Sequence, residues 1–587
     1  MLGFHPFYTC VLCAGLADGA DGYHITEVKL ESHLVISSRS TSYMLGVGEI
    51  VVSCLLAIFL LFKYLPFGWA LAVVAVALGY VYHYFAQEHS YWRRRGVKGP
   101  LGNLLTGATF LHRRDQHELD LEWKEEYGGT YGFRLLGKQV LVLSDLDSVR
   151  KVLVKDFSHF VNRTNFMKNR NHKTKLSLFP YSLVAIEDDH WKNIRNIITP
   201  AFTSGKIKNM IGAIDQCAKT FCEVLGGFAD KDEKVPLKEI CGRAALDVVS
   251  KIALGIQSNV QKDDSEPLLI HAKNVFSVQG MNARVLFLTL FPNVVYHLQE
   301  LFGHLIINHE TNQFYIRTLS DLLEKRLHEK DESSVDFFKQ LLASMEEDHQ
   351  DHHTSEDSDI IHHEISSHKE KKKLSKYDIM AQGFLFLLAG YETTATTLHF
   401  ILFMLAHHPE IQDRCRQEVS EIVGDEDVQY EHVTKLKYMD QVISETLRMF
   451  PSVARIGRDC NEEIEIEGIK VEKGSAISVP IYVIHHDEKH YPNPEVFDPE
   501  RFSPEEKAKR DPLTYLPFGY GPRNCIGLRL AQFELRVLLT EALRMFRFSP
   551  VGGEPGIPIE VDTKGLTKAK NVLHVKAERI QSAQFTL

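Results

Sequence analysis

The N-terminal part of the chain is organised around an uncharged apolar stretch. Residues 64–86 contain no Lys, Arg, Asp or Glu in 23 positions. A helix of this length rises about 34 Å, enough to cross the hydrocarbon core of a bilayer. Nearby tyrosines and the arginine run 93–95 that follows are typical of a membrane interface, and positive charge marks the cytosolic side. The pattern predicts a main transmembrane span at 64–86 with the later chain in the cytosol. The alternative, a buried core helix, fits the arginines poorly.

A second apolar stretch, 44–62, precedes the main span. Glu49 interrupts it and Lys63 follows it, so one or two membrane passes fit the pattern about equally well. The short apolar run near the N-terminus has no Lys or Arg before it, which disfavours a cleaved signal peptide. We therefore assign 1–43 to an N-terminal extension and 44–90 to a membrane anchor.

Helical periodicity dominates the rest of the chain, with short strand-like runs between the helices. The clearest helical patterns cover 205–227, 312–345, 377–408 and 436–450, and the strand-like runs cover 130–144, 464–481 and 558–577. We therefore expect residues 97–587 to form one large catalytic domain that is mainly α with small β-sheets (α+β).

One segment departs from this pattern. Residues 346–370 hold nine acidic residues and six histidines in 25 positions, a composition that cannot bury enough apolar area to fold. We expect a disordered acidic and His-rich loop over 346–375. Its histidine pairs could bind a metal ion, although a solvated loop between two helices is the simpler interpretation.

Composition and charge exclude several classes of protein. The chain has 587 residues, 44% of them apolar and 25% charged, which is an ordinary globular composition. With 67 basic and 77 acidic residues the net charge is −10, which argues against nucleic acid as a partner. The nine cysteines show neither a zinc-binding pattern nor the density of a disulfide framework, so individual cysteines need separate explanations.

One cysteine lies in an unusual local sequence. Residues 517–527 read Pro-Phe-Gly-Tyr-Gly-Pro-Arg-Asn-Cys-Ile-Gly, and a long amphipathic run, 528–546, follows. Cys525 would therefore lie where a helix begins, and the helix N-terminus favours a thiolate. Gly521 and Gly527 would let a flat ligand approach the backbone. A single thiolate suits haem iron, since the porphyrin supplies the other four ligands, while a buried structural cysteine is the alternative.

The motif Phe518-x-x-Gly521-x-Arg523-x-Cys525-x-Gly527 resembles the haem-binding loop of cytochromes P450. Three further signatures occur in the order that this family has them. They are Trp191-Lys-Asn-Ile-Arg195, Ala389-Gly-Tyr-Glu-Thr-Thr394, and Glu445-Thr-Leu-Arg448 with the later Arg501. The resemblance covers about 97–587 and is strongest to the branch with drug-oxidising enzymes and thromboxane synthase. It implies the cytochrome P450 fold, here preceded by one or more N-terminal transmembrane helices.

The resemblance also implies roles for individual residues. The helix around Gly390 would cross the distal haem face, where Glu392 and Thr393 would be the catalytic pair that delivers protons. Gly390 would leave room for a small molecule, and Thr394 would only bond back to the carbonyl four residues earlier. The haem-binding set is Cys525 as the iron ligand, Arg523, Trp191 and Arg195 at the propionates, Phe518 in the loop, and, aligned more loosely, Arg458 and Arg163. For those last two a surface arginine is the alternative. Glu445, Arg448 and Arg501 would form a buried structural network.

Taken together, these residues predict a haem-thiolate monooxygenase in the endoplasmic reticulum membrane, with its catalytic domain on the cytosolic face and membrane lipid around the anchor. The cofactor would be haem b. No Gly-x-Gly-x-x-Gly fingerprint follows a predicted strand, so NADPH would act indirectly, through NADPH–cytochrome P450 reductase. Cytochrome b5 is a second candidate partner, and the lysines at 192, 206 and 208 are a candidate docking face. The substrate would be a lipophilic steroid, fatty acid or xenobiotic. Two alternatives are a same-fold isomerase of lipid peroxides that needs no reductase, and a non-catalytic haem sensor or lipid carrier.

Overall fold

The computed structural model describes residues 47–135, 137–164, 177–276, 291, 309–328, 338, 341, 374–554 and 556–580. The predicted extension 1–43 lies outside these residues, as does the acidic and His-rich loop up to residue 373. The loop's predicted end at 375 coincides with a helix cap. The Ser375 hydroxyl accepts the Asp378 amide at 3.1 Å, and the Ser375 amide donates to the Asp378 carboxylate at 3.0 Å.

Helices make up most of the described chain, and we number them in chain order. Their bounds are α1 Val47–Tyr64, α2 Phe67–His89, α3 Gln116–Tyr127, α4 Leu146–Arg150, α5 Asp188–Ile198, α6 Ser204–Lys208, α7 Ile211–Ala229, α8 Leu237–Leu254, α9 Pro267–Phe276, α10 His309–His328, α11 Lys376–His407, α12 Pro409–Ile422, α13 Tyr430–Val433, α14 Lys437–Met449, α15 Ile481–His485, α16 Pro504–Lys509 and α17 Leu528–Met545.

The strands form small sheets at the sides of the helical body. Their bounds are β1 Thr130–Leu135, β2 Lys138–Leu143, β3 Val235–Pro236, β4 Arg455–Asp459, β5 Ile464–Ile466, β6 Ile469–Val471, β7 Ala476–Pro480, β8 Phe546–Pro550, β9 Val561–Asp562, β10 Lys568–Ala569 and β11 His574–Arg579. The largest sheet has the order β1-β2-β7-β4, in which β2 and β7 are parallel and the other pairs antiparallel. A second sheet has the order β3-β11-β8, and β5-β6 and β9-β10 form two-stranded ribbons.

The expected architecture, mainly α with small β-sheets, is confirmed. The predicted helices at 377–408 and 436–450 correspond to α11 and α14, and the strand-like run 130–144 is the β1–β2 hairpin. Three strands, β3, β4 and β8, were not predicted. Residue 546, the last of the predicted amphipathic run, already belongs to β8.

The predicted membrane span is displaced by three residues. Pro66 precedes α2 as its N-cap, because proline has no amide hydrogen to continue a helix from the previous turn. Within the residues that the structure describes, α2 is the one helix long and apolar enough, by length and composition, to cross a membrane. The candidate second span also forms a helix, α1, and its role as a second pass stays a prediction.

The end of α2 is attached to the β1–β2 hairpin. The Trp92 ring lies directly over Gly132, where an added Cβ would be 2.4 Å from a ring carbon. Its Nε1 donates to the Phe133 carbonyl at 3.3 Å. Gln139 on β2 donates to the Glu88 carbonyl at 2.9 Å. The last turn of the apolar helix is therefore part of the folded domain.

Helix α11, 32 residues long, runs through the centre of the domain. It packs against α8, α10, α14 and α17. The approach of α8 is close at Gly390, where an added Cβ would be 2.6 Å from Val249 Cγ2. The missing side chain of Gly390 therefore accommodates a neighbouring helix, and the expected room for a small molecule against its half-exposed backbone stays a prediction.

Candidate active site around Cys525

Backbone hydrogen bonds fold the cysteine loop into a compact turn ahead of α17. The Cys525 amide donates to the Phe518 carbonyl at 2.8 Å. Gly519 and Gly521 have φ angles of +71° and +76°, in the left-handed region that favours glycine. A Cβ at Gly521 would lie 2.0 Å from the Leu153 carbonyl oxygen. Gly521 thus allows the loop to pack on the 151–155 turn rather than serving the ligand approach that we expected.

The Cys525 thiol is both accessible and desolvated. Its side chain is exposed, yet the surrounding protein desolvates it enough for burial to raise the pKa of the thiol. The Gly527 and Leu528 amides and two arginines, Arg163 and Arg195, lower this pKa, but burial outweighs them. The amides at the start of α17 thus favour the thiolate, as predicted, but their effect on the pKa of Cys525 is smaller than the effect of burial. A metal cation at the sulfur would supply the missing stabilisation of the thiolate.

Helix α5 and the cysteine loop are held together by two arginines. Arg195 donates to the backbone carbonyl of Asn524 at 3.1 Å and to its side-chain oxygen at 3.0 Å. Arg523 donates to the Val161 carbonyl at 2.7 Å and the Ile186 carbonyl at 2.8 Å. The Arg523 guanidinium lies 4.7 Å from the centre of the Trp191 ring, which is buried one turn before Arg195. Three predicted haem-binding residues therefore meet beside Cys525.

Arg458 is a buried cation without an acidic partner. Its side chain on β4 is 2% exposed, and Nη1 donates to the Gly457 carbonyl at 2.9 Å. In the part of the chain that the structure describes, no carboxylate pairs with it. Burial, together with nearby Arg163, lowers the pKa of Arg458 to about 9. The surface-arginine alternative is therefore wrong for Arg458.

A glycine brings these two arginines together. A Cβ at Gly457 would lie 2.8 Å from Thr164 Cβ, so the 161–164 segment packs directly on β4. The Asp459 amide donates to the Asn162 carbonyl at 2.9 Å and fixes this contact. A buried guanidinium such as that of Arg458 is stabilised by an anion, and a porphyrin edge with two propionates supplies one. The residues present therefore fit a haem group.

The two residues of the predicted proton relay point to different neighbours. The Thr393 hydroxyl donates to the Ala389 carbonyl at 2.6 Å, the back-bonding that we had expected of Thr394. Ala389 is exposed although α11 is central, so this face of the helix lines an interior recess. Glu392 is buried and forms an ion pair with Lys238 of α8. Sequence reasoning missed Lys238, which lies 154 residues from Glu392 and belongs to no motif.

The expected buried network behind the loop is confirmed. Arg448 donates through Nε to Glu445 Oε2 at 2.7 Å and through Nη2 to Oε1 at 2.9 Å, with both side chains fully buried. Arg501 Nε lies 3.5 Å from Glu445 Oε1, and the Asp498 amide donates to the same oxygen at 3.0 Å. Burial raises the pKa of Glu445, and these donors oppose the rise. The network anchors α14 to the 493–501 segment.

The candidate docking lysines are partly engaged with acidic residues. Lys208 pairs with Glu431, and Lys192 lies 3.9 Å from Asp189. All four side chains are exposed, so a solvated surface remains an alternative for this face.

An accessible cysteine close to two arginines is the arrangement expected of a haem-thiolate protein. Comparison with known proteins gives the same result. A model of the family described as Cytochrome P450 matches residues 97–575. The chain is 32% identical to Cytochrome P450 3A41 of Mus musculus over 510 residues, which cover 86% of this chain and 96% of the relative. It is 32% identical to Cytochrome P450 3A5 of Homo sapiens over 511 residues, with the same coverage.

The chain therefore belongs to the cytochrome P450 family and is a haem-containing monooxygenase. The expected similarity to the drug-oxidising branch is confirmed as well.

Proposed function

We propose that the chain is a membrane-anchored monooxygenase in which the Cys525 thiolate binds the haem iron. Haem b, when bound, supplies the chemistry that activates dioxygen, so that one oxygen atom can enter a lipophilic substrate. The observation that carries the proposal is that the accessible Cys525 side chain lies close to Arg163, which is beside Arg458, a buried cation with no acidic partner among the described residues.

Several side chains would hold the cofactor. Arg458 would bind a propionate, because it is buried with no acidic partner among the described residues, and Arg163 beside it would contribute further positive charge. Arg195 and Trp191 would hold the propionate side from α5. Arg523 already donates to two backbone carbonyls, so its main role would be to hold the cysteine loop in place. Its other N–H groups would face the cofactor. Phe518 accepts the Cys525 amide and would fix the height of the sulfur.

Proton movement would use Thr393 and Glu392. The Thr393 hydroxyl is partly exposed to the recess and can rotate away from the Ala389 carbonyl to donate there. Glu392 is buried, but 39% of the Lys238 side chain is exposed, so the ion pair joins the buried carboxylate to solvent. We propose that protons enter along this pair and reach the Thr393 oxygen.

Electrons would come from NADPH through NADPH–cytochrome P450 reductase, with cytochrome b5 as a second donor. Lys192, Lys206 and Lys208 would contribute to the docking face. Helix α2 would anchor the protein in the endoplasmic reticulum membrane with the catalytic domain on the cytosolic face, because the arginines at 93–95 follow it directly. Protease treatment of intact microsomes should then degrade the catalytic domain.

The test is turnover of the purified protein with steroids, fatty acids and lipophilic xenobiotics, with and without reductase and NADPH. We expect product only in the complete system, and the red-shifted band of the reduced carbon monoxide complex that marks thiolate ligation. Cys525→Ala should lose that band and all product. Conversion of a lipid peroxide without reductase would indicate an isomerase instead, and full activity of Cys525→Ala would refute the ligand assignment.

A further inference from the structure

His485, the last residue of α15, is fully buried and makes two hydrogen bonds with its ring. Nδ1 lies 3.0 Å from the Arg448 carbonyl, and the Leu516 amide lies 2.8 Å from Nε2. An amide only donates, so Nε2 must accept, and Nδ1 must carry the single proton that it donates to Arg448. These bonds fix the ring as one neutral tautomer.

Each partner of His485 leads to a different part of the site. Arg448 also donates from its side chain to the His485 carbonyl at 2.9 Å, so helices α14 and α15 are joined in both directions. On the other side, the Leu516 carbonyl accepts the Gly519 amide at 3.0 Å. His485 therefore connects the buried Glu445–Arg448 pair to the beginning of the cysteine loop.

We propose that His485 is a positioning residue that sets the distance between the Glu445–Arg448 pair and the cysteine loop, and so holds Cys525 at the haem iron. This inference rests on the proposed function, since it assumes that Cys525 is the iron ligand. A neutral imidazole suits the role because one rigid ring offers a donor on one side and an acceptor on the other.

Two variants separate the two hydrogen bonds. His485→Asn places an amide near the position of Nδ1, which keeps the donor to Arg448 and removes the acceptor for Leu516. His485→Gln reaches the position of Nε2, which keeps the acceptor and removes the donor. His486→Asn is the matched control, because His486 is also buried and its one ring hydrogen bond goes to the Tyr482 carbonyl, away from the loop.

The measurement is the share of haem-loaded protein whose reduced carbon monoxide complex has lost the thiolate band, recorded with haem content and the denaturant midpoint. We expect a roughly tenfold larger thiolate-lost share in His485→Asn than in His485→Gln, because the buried Leu516 amide is left unpaired. His486→Asn should lower the denaturant midpoint without changing the share.

Two results would overturn the inference and leave His485 a core residue. One is an equal thiolate-lost share in His485→Asn and His485→Gln. The other is a share that rises whenever the denaturant midpoint falls, in His486→Asn as much as in the His485 variants. A wild-type protein that lacked the thiolate band would instead refute the proposed ligand, and the inference with it.

Discussion

Replacing Arg458 with methionine should loosen the haem while stabilising the haem-free chain. Arg458 is 2% exposed, and burial lowers its pKa from the ordinary value of an arginine to about 9. At about 1.4 kcal/mol per pKa unit, this fall corresponds to on the order of 5 kcal/mol against the charged form in the haem-free fold. The net gain from Arg458→Met would be smaller, about 1–3 kcal/mol, since the hydrogen bond to the Gly457 carbonyl is lost.

With haem bound, the same substitution should act in the opposite direction. Removing one partner of a buried ion pair costs about 3–5 kcal/mol, because the other charge is stranded. If Arg458 pairs with a propionate, this cost alone should raise the dissociation constant for haem by roughly two to four orders of magnitude, and the gain in the haem-free chain adds to the rise.

Arg455 on the same strand provides the control. It donates through Nε to Asp120 Oδ2 at 2.5 Å, and both side chains are buried. Arg455→Met strands the Asp120 carboxylate, so it should destabilise the protein by about 3–5 kcal/mol with or without haem. The assays are denaturant unfolding of the haem-extracted protein by tryptophan fluorescence, and haem transfer to an acceptor globin by absorbance.

Two results would refute this reasoning. One is a haem-free Arg458→Met protein that is destabilised as much as Arg455→Met. The other is haem transfer from Arg458→Met at the wild-type rate, which would mean that the buried charge serves no propionate.

Three more predictions concern the relay, the loop and pH. Thr393→Ala should lower product formed per oxygen consumed and leave the thiolate band intact, whereas Thr393→Ser should retain coupling; unchanged coupling in the Ala variant would count against the relay. Gly521→Ala should sharply reduce haem incorporation, because its Cβ would overlap the Leu153 carbonyl. Gly137→Ala, at φ +80° with open space around it, should cost only about 1–2 kcal/mol, and equal effects would exclude the contact as the cause. Burial lowers the pKa values of His112, His399 and His486 to about 3. In the unfolded chain these histidines therefore bind protons near pH 6.5, whereas in the native state they stay neutral at that pH. Stability should fall by about 2 kcal/mol per histidine from pH 7 to pH 5, and an unchanged denaturant midpoint would contradict this.

Local patterns predicted the helices and the cysteine loop well, since each depends on neighbouring residues. The predicted helices 377–408 and 436–450 correspond to α11 and α14, and the glycine-rich sequence of 517–527 includes Gly519 and Gly521, which have left-handed backbone. The Glu445–Arg448 pair was also readable, because apolar neighbours mark its helix as buried.

Contacts between distant segments could not be read in the same way. Nothing near Gly390 in sequence shows that Val249 fills the space above it, and nothing near Glu392 indicates Lys238. The short strand β4 has no alternating pattern, because three of its five residues are arginine or aspartate serving buried contacts. These features arise only when the chain has folded.

If α2 is the membrane anchor that we propose, the contact of Trp92 with Gly132 joins that anchor rigidly to the catalytic domain. A change in the tilt of α2 would then rotate the catalytic domain by the same angle. Because the tilt of a membrane helix depends on bilayer thickness, the thickness would set the orientation of the catalytic domain relative to the membrane. The same contact defines where a soluble version can begin. A cut before residue 84 would keep the end of α2 and its contacts, whereas a cut after Trp92 would expose the edge strand β1, which this ring covers at Gly132.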